Sequence, residues 1–168
     1  MYMYLSVITE FVQTPSADPV FIYGDVVVGL IPERMLNNGE PSFHANCLRA
    51  AAIRPGETVV HVGAGVGYYS AIMAELAGPQ GRVHAVEIDP VLAAISRRFN
   101  ADAPYLDPRV TLHVDDARSF LSRAQPGYDL VTFGYLDSQA LFSSMSNLRL
   151  DGYVYTVDAT QSVAQAVA

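Results

Sequence analysis

Short apolar runs alternate with amphipathic stretches through most of the chain after residue 56. The run at residues 57–62 is rich in β-branched residues and follows Pro55-Gly56, a pattern typical of a strand buried on both faces. The same pattern predicts three further strands, at residues 82–88, 109–114 and 128–134. Because the stretches between them carry apolar residues at helical spacing, we expect an α/β fold with a doubly wound parallel sheet and helices on both faces.

Turn and capping residues mark the expected ends of the helices. Gly78-Pro79 stops the helix that follows the first strand of this sheet. Asp89-Pro90 supplies an N-cap and a proline at the first position of the next helix. Ser42 is the expected N-cap of an earlier helix that runs to about residue 53.

The chain is predicted to form a single domain preceded by an arm. Residues 1–34 are the N-terminal arm, with two short strands expected at residues 20–23 and 25–31. Residues 35–168 are the domain. Its last part holds a candidate strand and then a short helix, at residues 153–157 and 159–168.

Composition narrows the class of protein. Hydrophobic residues make up 51% of the chain and charged residues 16%, which argues against disorder. The net charge of −7 and the absence of lysine argue against a broad basic surface for nucleic acid. A single cysteine, Cys47, cannot form an internal disulfide. With no good signal peptide and no apolar run near the ~20 residues that cross a membrane, we expect a cytoplasmic protein without a membrane partner.

A glycine-rich turn, residues 63–67, separates the first strand of the sheet from its helix. Glycine lets the backbone bend sharply and approach a ligand, and the helix start offers free N–H groups. Glu87 lies twenty positions after Gly67, at the tip of the second strand. A carboxylate there is placed to accept both hydroxyls of a ribose. The sequence therefore predicts a nucleoside ligand, with a ligand-free βαβ unit as the alternative.

The turn reads Gly-x-Gly-x-Gly, which differs from the dinucleotide-binding and phosphate-loop patterns. Together with residues 84–90 it resembles the first two motifs of class I S-adenosylmethionine-dependent methyltransferases. The resemblance implies a Rossmann-like fold and S-adenosyl-L-methionine as the cofactor. The residues expected to bind the cofactor are His44, His61, Gly63, Ala64, Gly65, Gly67, Tyr68, Glu87, Ile88, Asp116, Ala117 and Phe133.

Asp116 and His61 of this set each have an alternative role. By the resemblance, Asp116 accepts a hydrogen bond from the adenine amino group, with the Ala117 N–H beside it. Asp116 or its neighbour Asp115 is also suited to cap the following helix. His61 stands where many methyltransferases carry an acidic residue. It either bonds the loop or the methionine amino group, or it is a buried histidine satisfied by the backbone.

Residues 20–125 resemble protein-L-isoaspartate O-methyltransferases more closely. The match rests on Pro41 and His44-Ala45, and it places Gly39 where that family carries its catalytic serine. Ser42 is close but out of register. His44 lies near the cofactor by this resemblance or is an ordinary histidine at a helix start. Asn37 and Asn38 either hydrogen-bond the ligand or favour the turn, and the turn is the preferred interpretation.

Residues 128–159 resemble spermidine-synthase-like domains instead. Asp137 is a candidate general base there, or a solvated or capping carboxylate. Class I methyltransferases usually have seven strands, but no sixth or seventh strand is visible in this sequence. The C-terminal strands are therefore expected to be missing here. The expected function is S-adenosylmethionine-dependent methyl transfer, with an aminopropyltransferase or a non-catalytic cofactor-binding domain as alternatives.

The sequence assigns no catalytic residue, and no metal site is expected. The expected methyl acceptor is a small molecule, a protein or a peptide. A homodimer is one possible assembly of the chain.

Overall fold

The computed structural model describes residues 3–5, 11–13, 25–31, 36–99, 103–134 and 155–167. The chain consists of two compact units, Met1–Ala50 and Ala51–Ala168. The expected division into an arm and a domain at residue 34 stays a prediction.

The unit Met1–Ala50 holds two small antiparallel sheets and most of a helix. Strand β1 (Met3–Leu5) pairs with β2 (Phe11–Gln13), and β3 (Gly29–Ile31) pairs with β4 (Leu36–Asn37). Helix α1 spans Pro41–Ala51. Of the two short strands expected in this region, the one at residues 25–31 is present only from Gly29, and residues 20–23 lie outside the described part.

The start of α1 corrects a prediction. The helix begins at Pro41, so Ser42 lies inside its first turn and is not the N-cap. Proline suits the first helical position because its fixed φ is already helical. The Ser42 N–H is instead satisfied from upstream, by donating to Asp25 Oδ1 at 2.8 Å. At the other end, Ala52 has a φ of +51°, which terminates the helix before residue 53.

The unit Ala51–Ala168 is built on a four-stranded, fully parallel sheet. The strands are β5 (Thr58–Val62), β6 (Arg82–Glu87), β7 (Val110–Val114) and β8 (Leu130–Phe133), in the order β7-β6-β5-β8. The helices are α2 (Tyr68–Ala77), α3 (Pro90–Phe99), α4 (Ala117–Arg123) and α5 (Val157–Val167), and a short 3-10 helix covers Pro104–Leu106. The predicted α/β fold with a parallel sheet is therefore confirmed.

Alternate residues of the strands face two different helical layers. His61 of β5 contacts Ser70 of α2, which places α2 on one face. Val60 and Val62 point to the other face and form a buried cluster, against which Phe120 of α4 packs. Helices thus cover both faces, as the apolar runs predict.

A histidine pair lies on the face that α4 covers. His84 Nδ1 and His113 Nε2 are 3.0 Å apart, and the two rings stack with their centroids 5.2 Å apart. Phe120 packs against His113, and the Tyr128 ring meets His84 edge-on. Burial lowers the pKa of both histidines, and the charge of His113 lowers that of His84 further.

The end of the chain departs from the predicted strand. Val157 is the first residue of α5, and Tyr155 and Thr156 before it form a bend. The rest of that predicted strand lies outside the described part, as does the whole stretch 135–154. Among the described residues, no helix is both long enough and apolar enough to cross a membrane.

Candidate cofactor site

The candidate residues gather at the carboxyl end of the sheet. The chain moves from β5 outwards through β6 and β7, and then returns to the other side of β5 as β8. In open α/β sheets ligands bind at such a reversal, outside the carboxyl ends of the strands. The glycine turn follows β5 and Glu87 ends β6, so both lie at this edge.

The turn from β5 to α2 is anchored on the neighbouring strand. The N–H groups of Gly63 and Ala64 both donate to the carbonyl of Val86, at 2.9 and 3.1 Å. The Gly67 N–H closes the turn by donating to the Ala64 carbonyl at 2.9 Å. Because Val86 precedes Glu87, these bonds fix the turn beside the acidic side chain.

Two glycines of the turn are required for different reasons. Gly65 has a φ of +56°, and a Cβ built on it meets no atom within 4 Å. Its outer face is therefore open to a ligand. Gly67 also has a positive φ, but a Cβ there would lie 2.6 Å from Pro104 Cγ and 3.0 Å from the ring of Tyr105. Gly67 is needed for packing, and Gly65 borders the open space.

Glu87 connects the turn to the start of the next helix. Its Oε2 accepts the Gly65 N–H at 2.7 Å, and its Oε1 accepts the Asp89 N–H at 2.8 Å. The side chain is only 6% exposed. Burial raises the pKa of Glu87, while its hydrogen bonds to the backbone oppose that shift. A carboxylate oxygen has two lone pairs, so each oxygen keeps the capacity to accept a further hydrogen bond.

Tyr105 is a site residue that sequence reasoning missed. Its hydroxyl donates to the Gly65 carbonyl at 2.8 Å, across a separation of 40 residues. Burial raises the pKa of Tyr105, and the nearby charge of Glu87 adds to the effect. A tyrosine in a short segment between a helix and a strand carries no local signal that would have identified it.

His61 lies beneath the turn rather than at its open face. The side chain is 1% exposed, and its Nδ1 is 2.8 Å from the hydroxyl of Ser70, which is itself fully buried. One of its polar partners is thus a side chain of α2. A direct role of His61 towards a cofactor stays a prediction.

The remaining candidates of this unit surround the same edge. Ile88 is 61% exposed and Tyr68 is 46% exposed, so both offer apolar surface at the ends of β6 and the turn. Asp116 caps α4, because its Oδ1 accepts the Ser119 N–H at 2.9 Å, as predicted, and Ala117 follows as the first helical residue. The Phe133 ring at the end of β8 packs near that of Tyr155. Their contacts with a cofactor stay predictions.

His44 and Gly39 belong to the unit Met1–Ala50. His44 is buried, and that burial lowers its pKa. Gly39 has a φ of +75°, and a Cβ on it would lie 2.3 Å from His44 Nε2. Asn37 serves the turn, as predicted, because its Oδ1 accepts the Gly39 N–H at 2.8 Å. Asn38 Oδ1 instead accepts the N–H of Val28, ten residues upstream, at 2.6 Å.

Comparison with known proteins agrees with this geometry. Residues 12–139 match the family model described as Protein-L-isoaspartate(D-aspartate) O-methyltransferase (PCMT). The chain belongs to this family. A protein-L-isoaspartate O-methyltransferase of Methanopyrus kandleri is 54% identical over 144 residues, which cover 73% of this chain and 62% of the relative. The corresponding enzyme of Ignicoccus hospitalis is 46% identical over 91 residues, covering 54% of this chain and 42% of the relative.

The chain thus spans well under two thirds of the length of most family relatives that it matches. Among solved structures, a protein-L-isoaspartate O-methyltransferase superposes with a TM-score of 0.56 and 23% identity, over 72% of this chain and 38% of that one. A spermidine synthase in complex with the transition state analogue AdoDATO gives a TM-score of 0.61 and 14% identity, over 84% and 47%. These likenesses establish the fold, and both families suggested by the sequence share it.

Proposed function

We propose that the chain binds S-adenosylmethionine at the carboxyl end of its sheet and is a methyltransferase built like protein-L-isoaspartate O-methyltransferases, with isoaspartyl peptides themselves as poor acceptors. The observation that carries the proposal is the bond between the Gly65 N–H and Glu87. It joins the glycine turn and the acidic strand end, the two features that together hold a nucleoside in α/β folds. The open face of Gly65 leaves room for the ligand.

The side chains at this edge suit the parts of the cofactor. Glu87 has lone pairs left to accept two ribose hydroxyls. The exposed side chain of Ile88 offers an apolar surface to the adenine ring. Asp116 uses Oδ1 for its helix cap, and its second carboxylate oxygen suits the adenine amino group. The donor set therefore fits an adenosine moiety.

The chain has to position reactants rather than form a covalent bond itself. Bound S-adenosylmethionine supplies a methyl group on a sulfonium, which an acceptor oxygen takes by direct displacement. A carboxylate acceptor needs no general base, which agrees with the lack of an assigned catalytic residue. The residues at the sheet edge then act by fixing the adenosine end and by excluding water, so that the methyl group meets the acceptor in line.

The acceptor is the finer part of the proposal. The relatives are named for protein L-isoaspartate, so a protein or peptide carboxylate is the favoured acceptor. The family resemblance places Gly39 at the position of the catalytic serine, and glycine has no side chain to orient an acceptor. We therefore expect cofactor binding with little or no methyl transfer to isoaspartyl peptides. A homodimer and a cytoplasmic location stay predictions.

Two experiments test these statements. Calorimetric titration with S-adenosylmethionine, its decarboxylated form and S-adenosylhomocysteine should show binding of the first and third. Tighter binding of the decarboxylated form would favour the aminopropyltransferase alternative. Asp137, which the sequence offers in support of that alternative, lies outside the described residues. A radiolabelled methyl-transfer assay should then compare an isoaspartyl peptide with its normal aspartyl counterpart. Robust methylation of the isoaspartyl peptide alone would contradict the inference drawn from Gly39.

A further inference from the structure

The peptide groups of Gly65 are held from two sides by side chains distant in sequence. Its N–H donates to Glu87 Oε2 at 2.7 Å, and its carbonyl accepts the hydroxyl of Tyr105 at 2.8 Å. Glu87 comes from the end of β6, whereas Tyr105 comes from the short 3-10 helix before β7. The backbone that borders the open space is thus clamped between two separate elements.

The short 3-10 helix also supports the turn by packing. Pro104 and the ring of Tyr105 lie so close to Gly67 that no Cβ would fit between them. Tyrosine keeps its proton at neutral pH, so the Tyr105 hydroxyl is a donor, and burial and the charge of Glu87 raise its pKa further. One aromatic side chain therefore makes both a hydrogen bond and a packing contact with the same turn.

Gly65 is the position where such a clamp matters. Glycine has nearly equal access to positive and negative φ, so the peptides around it rotate at little cost when nothing holds them. Rotation of the peptide group on either side of Gly65 would break its bond to Glu87 or its bond to Tyr105. The Tyr105 hydroxyl opposes that rotation, because it fixes the carbonyl.

We propose that Tyr105 is a positioning residue for the cofactor site, which holds the Gly65 backbone so that Glu87 and the open face stay ready for adenosine. This inference rests on the proposed function for the identity of the ligand. The hold of Tyr105 on the Gly65 backbone, however, can be measured in the protein without ligand. The two can therefore be tested separately.

The test compares Tyr105→Phe with Tyr128→Phe in the full chain. The first change deletes the hydroxyl and keeps the ring that packs on Gly67. The second deletes the hydroxyl of another half-buried tyrosine, which packs against His84 away from the turn. The measurements are the Kd of S-adenosylhomocysteine by calorimetry and the hydrogen exchange of the Gly65 N–H by NMR without ligand.

We expect Tyr105→Phe to raise the Kd about three- to tenfold, the effect of one net hydrogen bond. Exchange at the Gly65 N–H should accelerate by a similar factor. The exchange rate of the buried Val60 N–H and the thermal midpoint should be the same in Tyr105→Phe as in Tyr128→Phe. Unchanged exchange at Gly65, or an unchanged Kd in Tyr105→Phe, would overturn the proposal. Faster exchange at Gly65 in a protein that does not bind S-adenosylhomocysteine would support the clamp and reject the proposed function.

Discussion

Replacing Glu87 with alanine tests the proposed site most directly. The change removes the carboxylate that is expected to accept both ribose hydroxyls. It also removes the acceptors of the Gly65 and Asp89 N–H groups, and so loosens the turn. One effect opposes these losses, because burial disfavours the charged carboxylate, as its raised pKa shows. We therefore expect a folded variant with lower stability and much weaker ligand binding.

The size of the binding effect follows from the number of bonds lost. A hydrogen bond to a charged group contributes about 1.5–3 kcal/mol, so two ribose hydroxyls account for about 3–6 kcal/mol. At about 1.4 kcal/mol per factor of ten, the affinity for S-adenosylhomocysteine should fall roughly 100- to 20,000-fold. Glu87→Gln should lose less, since the amide keeps one oxygen as an acceptor while its NH₂ group faces a backbone N–H.

Calorimetry with S-adenosylhomocysteine measures this effect, with circular dichroism to establish folding. Glu75→Ala is the matched control, because Glu75 is a glutamate of the same unit whose exposed side chain pairs with Arg109 away from the turn. That control should bind as the unmodified chain does. A folded Glu87→Ala variant with unaltered affinity would show that Glu87 does not hold the ribose.

Three further changes have defined expected outcomes. Gly65→Val should abolish S-adenosylhomocysteine binding in calorimetry, because a branched side chain would fill the open face at a positive φ; normal binding would refute the site. Gly39→Ser should not raise isoaspartyl methyl transfer in a radiolabel assay, because the new Cβ would collide with His44, and a clear gain would contradict that packing. The free energy of unfolding should fall as the pH drops below about 6.5, since His84 and His113 have lowered pKa values in the folded chain and normal ones when unfolded. His84→Leu should make that fall shallower in urea titrations across pH 5–8, and an identical slope would argue against the pair.

The sheet could be predicted because each strand has a recognisable pattern in its own local sequence. The run at Thr58–Val62 is short, β-branched and bounded by turn residues, which together are typical of a strand buried on both faces. The cap at Asp116 is equally local, since its partner is three residues away. Glu87 could be placed at the sheet edge because parallel strands present their carboxyl ends on one side.

The misses involve contacts between distant residues. The N–H of Ser42 in the first turn of α1 donates to Asp25, seventeen residues upstream, so its partner is not local. Tyr105 donates to the Gly65 carbonyl from 40 residues away, and no local sequence pattern predicts that hydrogen bond. Val157 has a side chain that favours strands, yet it begins a helix, because propensity is a weak influence that surrounding structure overrides.

The double hydrogen bonding of Glu87 also has a kinetic consequence. The carboxylate already holds Gly65 and Asp89 in the protein without ligand, so binding does not have to order this part of the turn. A ligand that meets a preformed surface associates in one step, with an observed rate that rises linearly with ligand concentration. Stopped-flow traces for adenosine ligands should then lack a slow, concentration-independent phase from this turn.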